Sequence, residues 1–68
     1  MSLMKIRLNG MEREVRAATI AEMIAELQLP TERIAVERNR QIVKKADWPA
    51  AALQENDQVE VVHFVGGG

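Results

Sequence analysis

Apolar residues alternate with polar ones at both ends of the chain, and between them recur every third or fourth position. Met4, Ile6 and Leu8 alternate with Lys5 and Arg7, the period of a half-buried strand. Asn9-Gly10 follows, a pair that accepts positive φ at both centres of a type I′ hairpin turn. The returning strand, Met11 to Arg16, is apolar only at Met11 and Val15, which predicts an edge strand. Ile20, Met23, Ile24 and Leu27 then fall on one face of a helix. Thr19-Ile20-Ala21-Glu22 predicts a capping box, in which the threonine hydroxyl takes an amide and Glu22 reaches back to the cap. Pro30 ends this helix at or before Leu29.

Ile34-Ala35-Val36 opens a strand that runs through Glu37 and Arg38. Asn39-Arg40 predicts a tight turn, because asparagine tolerates the left-handed region. Gln41-Ile42-Val43 returns as a short strand. Lys44 to Leu53 reads as irregular, with Asp47 able to cap a brief turn and Pro49 suited to a first helical position. Asn56-Asp57 predicts a turn before a last strand from Gln58 to Val65. The expected class is α+β, with one main helix across one face of a five-stranded sheet, since only that buries the helix's stripe at this size. The last strand is the longest and most apolar, which places it centrally. The expected domain is 4–65, with a glycine tail at 66–68. Met1-Ser2-Leu3 precede a second methionine and read as an addition outside the fold.

At 68 residues the chain is a single domain with a small core. Such a core leaves about 3–5 kcal/mol of net stability. It has no cysteine, so neither disulfides nor thiolate-bound metal can add to that. Neither a signal peptide nor a run near the ~20 apolar residues of a membrane helix is present, and the expected location is cytoplasmic. Nine basic against ten acidic side chains leave a net charge of −1. That argues against nucleic acid as the main partner.

Candidate chemistry inside the domain is sparse. There is no Cys or Tyr and a single histidine, His63, while Ser2 lies in the added residues. A nucleophile–histidine arrangement cannot be built, and one histidine with scattered carboxylates makes a poor metal site. The pairs Glu12/Glu14 and Glu22/Glu26 read as solvated surface. Along the last strand, Val59, Val61, His63 and Val65 share the face expected toward the helix. His63, at its end, reads as a rim residue rather than a catalyst. Val62 and Phe64 point to the other face, which meets water. They are either scattered surface hydrophobes or, with Val65, a partner-docking patch beside the glycines. Trp48 reads as a plug over the irregular segment.

Gly66, Gly67 and Gly68 follow that strand directly. Glycine is a poor residue with which to prolong a strand and a good one for a thin tail that a narrow channel can accept. The Gly68 carboxylate, ionised at neutral pH, is the expected working group. A carboxylate resists nucleophiles because its leaving group is oxide, and this chain has no phosphate-binding loop to activate it. A partner must do so, and the chain is then a substrate, not an enzyme.

The strand order, the size and the closing Val62-His63-Phe64-Val65-Gly66-Gly67-Gly68 resemble the ThiS family, the sulfur carriers of thiamin thiazole biosynthesis. Val36-Glu37-Arg38-Asn39 followed by Gln41-Ile42-Val43 is similar to that family's central hairpin. The resemblance covers Met4 to Gly68. It implies the β-grasp fold of ubiquitin, with a mixed sheet. It also implies that a ThiF-like adenylyltransferase activates Gly68 with ATP, that Gly68 becomes a thiocarboxylate fed by a sulfur-donating protein, and that a ThiG-like thiazole synthase takes the sulfur. Gly66 and Gly67 would thread the tail, and the chain itself would hold no cofactor. Two other readings stand beside it. One is a MoaD-like small subunit of molybdopterin synthase or a ubiquitin-like modifier; the other is a non-reactive interaction domain whose glycines belong to a linker.

Overall fold

A computed structural model of the chain describes residues 3–64. Met1, Ser2, Val65, Gly66, Gly67 and Gly68 lie outside the described residues. The strands are β1 (Met4–Leu8), β2 (Met11–Val15), β3 (Ile34–Arg38), β4 (Gln41–Val43) and β5 (Gln58–His63). The helix α1 (Ile20–Glu26) joins β2 to β3, and a 3₁₀ helix at Lys45–Ala50 follows β4. The last strand is assigned only as far as His63, and its expected end at Val65 lies outside the described residues.

The sheet order is β2-β1-β5-β3-β4. β5 is central, parallel to β1 and antiparallel to β3, so the sheet is mixed. This is the β-grasp arrangement. Both hairpins turn as their sequences require: Asn9 and Gly10 have φ of 51° and 82°, and Asn39 and Arg40 have φ of 52° and 72°. Positive φ at both central residues gives a turn whose twist matches that of the strands.

The core lies between one sheet face and α1. Ile6, Val15, Val36 and Val59 meet Ile20, Met23 and Ile24, all essentially inaccessible to solvent. Alternation in the strands and the three-to-four spacing in the helix bring these residues to one layer. Met11 pairs with Leu8 but stays exposed, because it lies at the end of an edge strand.

α1 starts as a capped helix: Thr19 Oγ1 accepts the Glu22 N–H. The return bond differs from the predicted box, since Glu22 Oε1 accepts from Ala18, one residue before the cap. Its end is set by a Schellman motif ahead of Pro30. Gln28 takes φ 55°, its N–H donates to Ala25, and the Leu29 N–H donates to Ile24.

The segment Lys44 to Leu53 is more ordered than its composition suggests. Asp47 is not a cap: the helix is capped by Lys44 with no side-chain bond, and Asp47 and Pro49 lie within it. Trp48 is buried and its Nε1–H donates to the Val43 carbonyl at 3.0 Å, so it does plug the core. Residues 51–53 then run beside 18–20, with Ile20 N–H bonded to Ala51 and Leu53 N–H to Ala18. Arg38 Nη1 donates to the Ala52 carbonyl and closes the same corner.

The pair Glu22/Glu26 is exposed, as solvated surface would be, but it is not idle. The Glu26 carboxylate accepts the N–H groups of Arg16 at 3.0 Å and Ala17 at 2.9 Å. It thereby satisfies the backbone where β2 passes into α1.

Candidate functional site

β5 delivers the chain to its glycines from the middle of the sheet. Its backbone groups alternate between two neighbours. The even-numbered residues face β3: the Asn39 N–H donates to Gln58, and the Phe64 N–H donates to Arg33 at 2.7 Å. The odd-numbered residues face β1: the Arg7 N–H donates to Asp57 and the Asn9 N–H to Val59, both at 2.9 Å. β1 ends first. At Val61 its place is taken by the side chain of Asn9, whose Oδ1 accepts the Val61 N–H and whose Nδ2–H donates to the Val61 carbonyl.

The start of β5 is fastened as tightly. Asp57, the only buried charged residue among the described residues, accepts from Asn39 Nδ2 at 3.0 Å and from the Gln54 N–H at 2.8 Å. Asn39 Oδ1 in turn accepts the Gln58 N–H. The strand is thus pinned at its first residue, at Val61 and at Phe64.

The side chains sort as alternation requires. Val59 is fully buried and Val61 half-buried on the helix side, while His63 reaches the exposed rim of that face. Val62 and Phe64 project from the helix-free face at 51% and 53% exposure. Ala35 stands opposite Val62, and Ile42 of β4 is exposed on the same face. Beyond β5, this face carries the charged row Lys5, Arg7, Glu12 and Glu14, with Lys5 Nζ 3.7 Å from Glu12. Val62 and Phe64 are therefore brought together at the mouth of the tail. Val65, Gly66, Gly67 and Gly68 fall outside the described residues. Among the described residues, no three His, Cys, Asp or Glu side chains converge to hold a metal ion. The fastening by Asn9, Asn39 and Asp57 is absent from the sequence reading. The Asn-Gly and Asn-Arg turns were the available signal, but turn chemistry does not show what an asparagine amide will reach.

The profile of the ThiS family matches residues 6–68. The chain belongs to the ThiS family. The sulfur carrier protein ThiS of Bacillus subtilis is 37% identical over 65 residues, 93% of this chain and 98% of that protein. The crystal structure of the thiamine biosynthesis protein ThiS from Geobacter metallireducens superposes with a TM-score of 0.83 at 28% identity, covering 96% of this chain and all of that one. The thiazole synthase of Magnetococcus marinus is 47% identical over 66 residues, and that of Paramagnetospirillum magneticum 39%. The chain spans only 20% of the length of these two synthases. No helix among the described residues is long and apolar enough to cross a membrane.

Proposed function

We propose that Gly68 is the sulfur-bearing residue of this ThiS-family chain. The observation that carries the reading is that the family match extends through Gly68, five residues beyond the last residue assigned to the central strand. A carboxylate oxygen of Gly68 attacks the α-phosphorus of ATP on an adenylating partner, and pyrophosphate leaves. The resulting mixed anhydride has AMP as its leaving group. Hydrosulfide then forms the C–S bond as the C–O bond to AMP breaks, and one proton is released. A partner's persulfide does the same if a second thiol afterwards cleaves its S–S bond and closes a disulfide. The thiocarboxylate is the nucleophile that passes sulfur on.

The adenylating partner is a ThiF-like enzyme, and the chain itself binds no cofactor. The acceptor is a thiazole synthase of the ThiG kind. The likeness to one fifth of two longer thiazole synthases supports that pairing, because a carrier joined to its consumer needs no encounter in solution. Gly66 and Gly67 thread the tail, since a β-carbon would crowd a narrow passage. Val62, Phe64 and Val65 dock the partner beside it. The chemistry takes place in the cytoplasm, where ATP is available.

Two variants test the reading: deletion of Gly68, and extension past it by an uncleavable tag. Both are expected to melt like the parent, and neither should exchange an oxygen for sulfur in intact-mass spectra after incubation with the adenylating enzyme, ATP and a sulfur donor. Sulfur delivery by protein whose tag is demonstrably intact overturns the mechanism. An adduct to a lysine amine would instead make the chain a modifier.

A further inference from the structure

We propose that the adenylating partner adds an extended strand to β5 at His63, in the row that β1 vacates. This rests on the reading of Gly68 as the group acted on. The N–H and C=O of His63 belong to the odd-numbered set of β5, directed away from β3. The flanking bonds fix this, with the Phe64 N–H donating to Arg33 on one side and the Val61 N–H donating to Asn9 Oδ1 on the other. The paired residues of β1 and β5 end at Leu8 and Val59. Asn9 extends the ladder by one step with its side chain, and the chain then turns through Gly10 into β2 on the far side of β1. No described backbone group pairs with His63 on that side.

A one-sided stretch at the end of a central strand is an edge, and an edge is a template for another extended backbone. Strand addition draws its affinity from main-chain bonds and its specificity from pockets for alternate side chains. The main-chain groups are available here, with exposed apolar side chains beside them. His63 offers the backbone pair, while Val62 and Phe64 on the helix-free face offer exposed apolar side chains to the same partner. Asn9 sets where the added strand begins. Its amide already uses both hydrogen-bonding groups of Val61, so the first free pair is at His63, five residues before Gly68. A strand seated there aligns the tail along its own direction and presents the glycines to the active site in an extended form.

The test uses the full chain with the adenylating enzyme and ATP. Proline at position 63 removes the outward N–H and no bond to β3, a position where proline is tolerated in strands. His63→Pro is expected to keep its thermal midpoint within a few degrees while binding to the enzyme weakens about tenfold. Amide exchange on the parent chain gives a second readout that does not depend on the variant folding. The His63 N–H, unprotected alone, should become protected in the complex, whereas the Phe64 N–H is protected in both. An exposed His63 N–H in the complex, or unchanged affinity of a folded His63→Pro, overturns the added strand. If the parent chain is not adenylated at all, it is the reading of Gly68 that fails.

Discussion

The side-chain amide of Asn9 holds both backbone polar groups of Val61, accepting its N–H at 2.8 Å and donating to its carbonyl at 3.3 Å. The residue that turns β1 into β2 thereby also supplies the last rung between β1 and β5. Asn9→Ala loses both bonds and places a β-carbon-bearing residue less suited to φ 51° in the turn. The expected cost is about 2 kcal/mol in denaturant unfolding, with faster amide exchange at Val61. Asn9→Asp keeps the acceptor and sets an oxygen against the Val61 carbonyl, so it should not restore stability.

Arg40 sits at φ 72°, where the second residue of this turn type favours glycine. Its neighbour Asn39 already supplies the bonds to Asp57 and Gln58. Arg40→Gly is expected to stabilise the domain by about 1 kcal/mol, read as a raised denaturation midpoint with an unchanged slope. A lower midpoint would mean that the Arg40 side chain contributes more than its backbone costs.

Glu26 closes the passage from β2 into α1 by accepting from Arg16 and Ala17. Ala17 is buried, so removal of the carboxylate leaves its N–H without a partner. Glu26→Ala should cost about 1–3 kcal/mol, far above the usual effect of changing an exposed charge. A cost below ~0.5 kcal/mol would show that solvent satisfies these groups equally well.

Met23 is fully buried beneath the sheet. Met23→Asp sets an unpaired charge in a core with only ~3–5 kcal/mol in reserve and should leave the chain unfolded by circular dichroism at neutral pH. Retained cooperative melting would mean that the core accommodates water at that point.

Phe64 is half exposed and follows the last assigned residue of β5. Phe64→Ala should leave the thermal midpoint nearly unchanged, because its backbone bond to Arg33 persists. Binding to the adenylating enzyme should fall by about 2 kcal/mol if the ring is an anchor in the interface. A large loss of stability with normal binding would make Phe64 a structural residue.

Much of this molecule was legible in its sequence. The period-two run at Met4–Leu8, the short apolar run opening at Ile34, the long apolar stretch from Gln58 and the three-to-four spacing of Ile20, Met23 and Ile24 marked the elements, because burial selects apolar residues at the positions that face the core. Alternation also placed Val62 and Phe64 on the exposed face. The central position of the last strand followed from its apolar length, and the mixed character of the sheet came only through the family resemblance. Other features required the tertiary structure. The acidic side chain of Glu26 read as bare surface, because nothing local shows that the chain before the helix will bring its N–H groups to it. Asn9 to Val61, Asn39 to Asp57 and Arg38 to Ala52 are bonds between residues far apart in the chain. A local pattern reports which face a residue takes, since that depends on its immediate neighbours. Which distant backbone group its polar atoms meet depends on strand order and register, and those exist only once the sheet has closed.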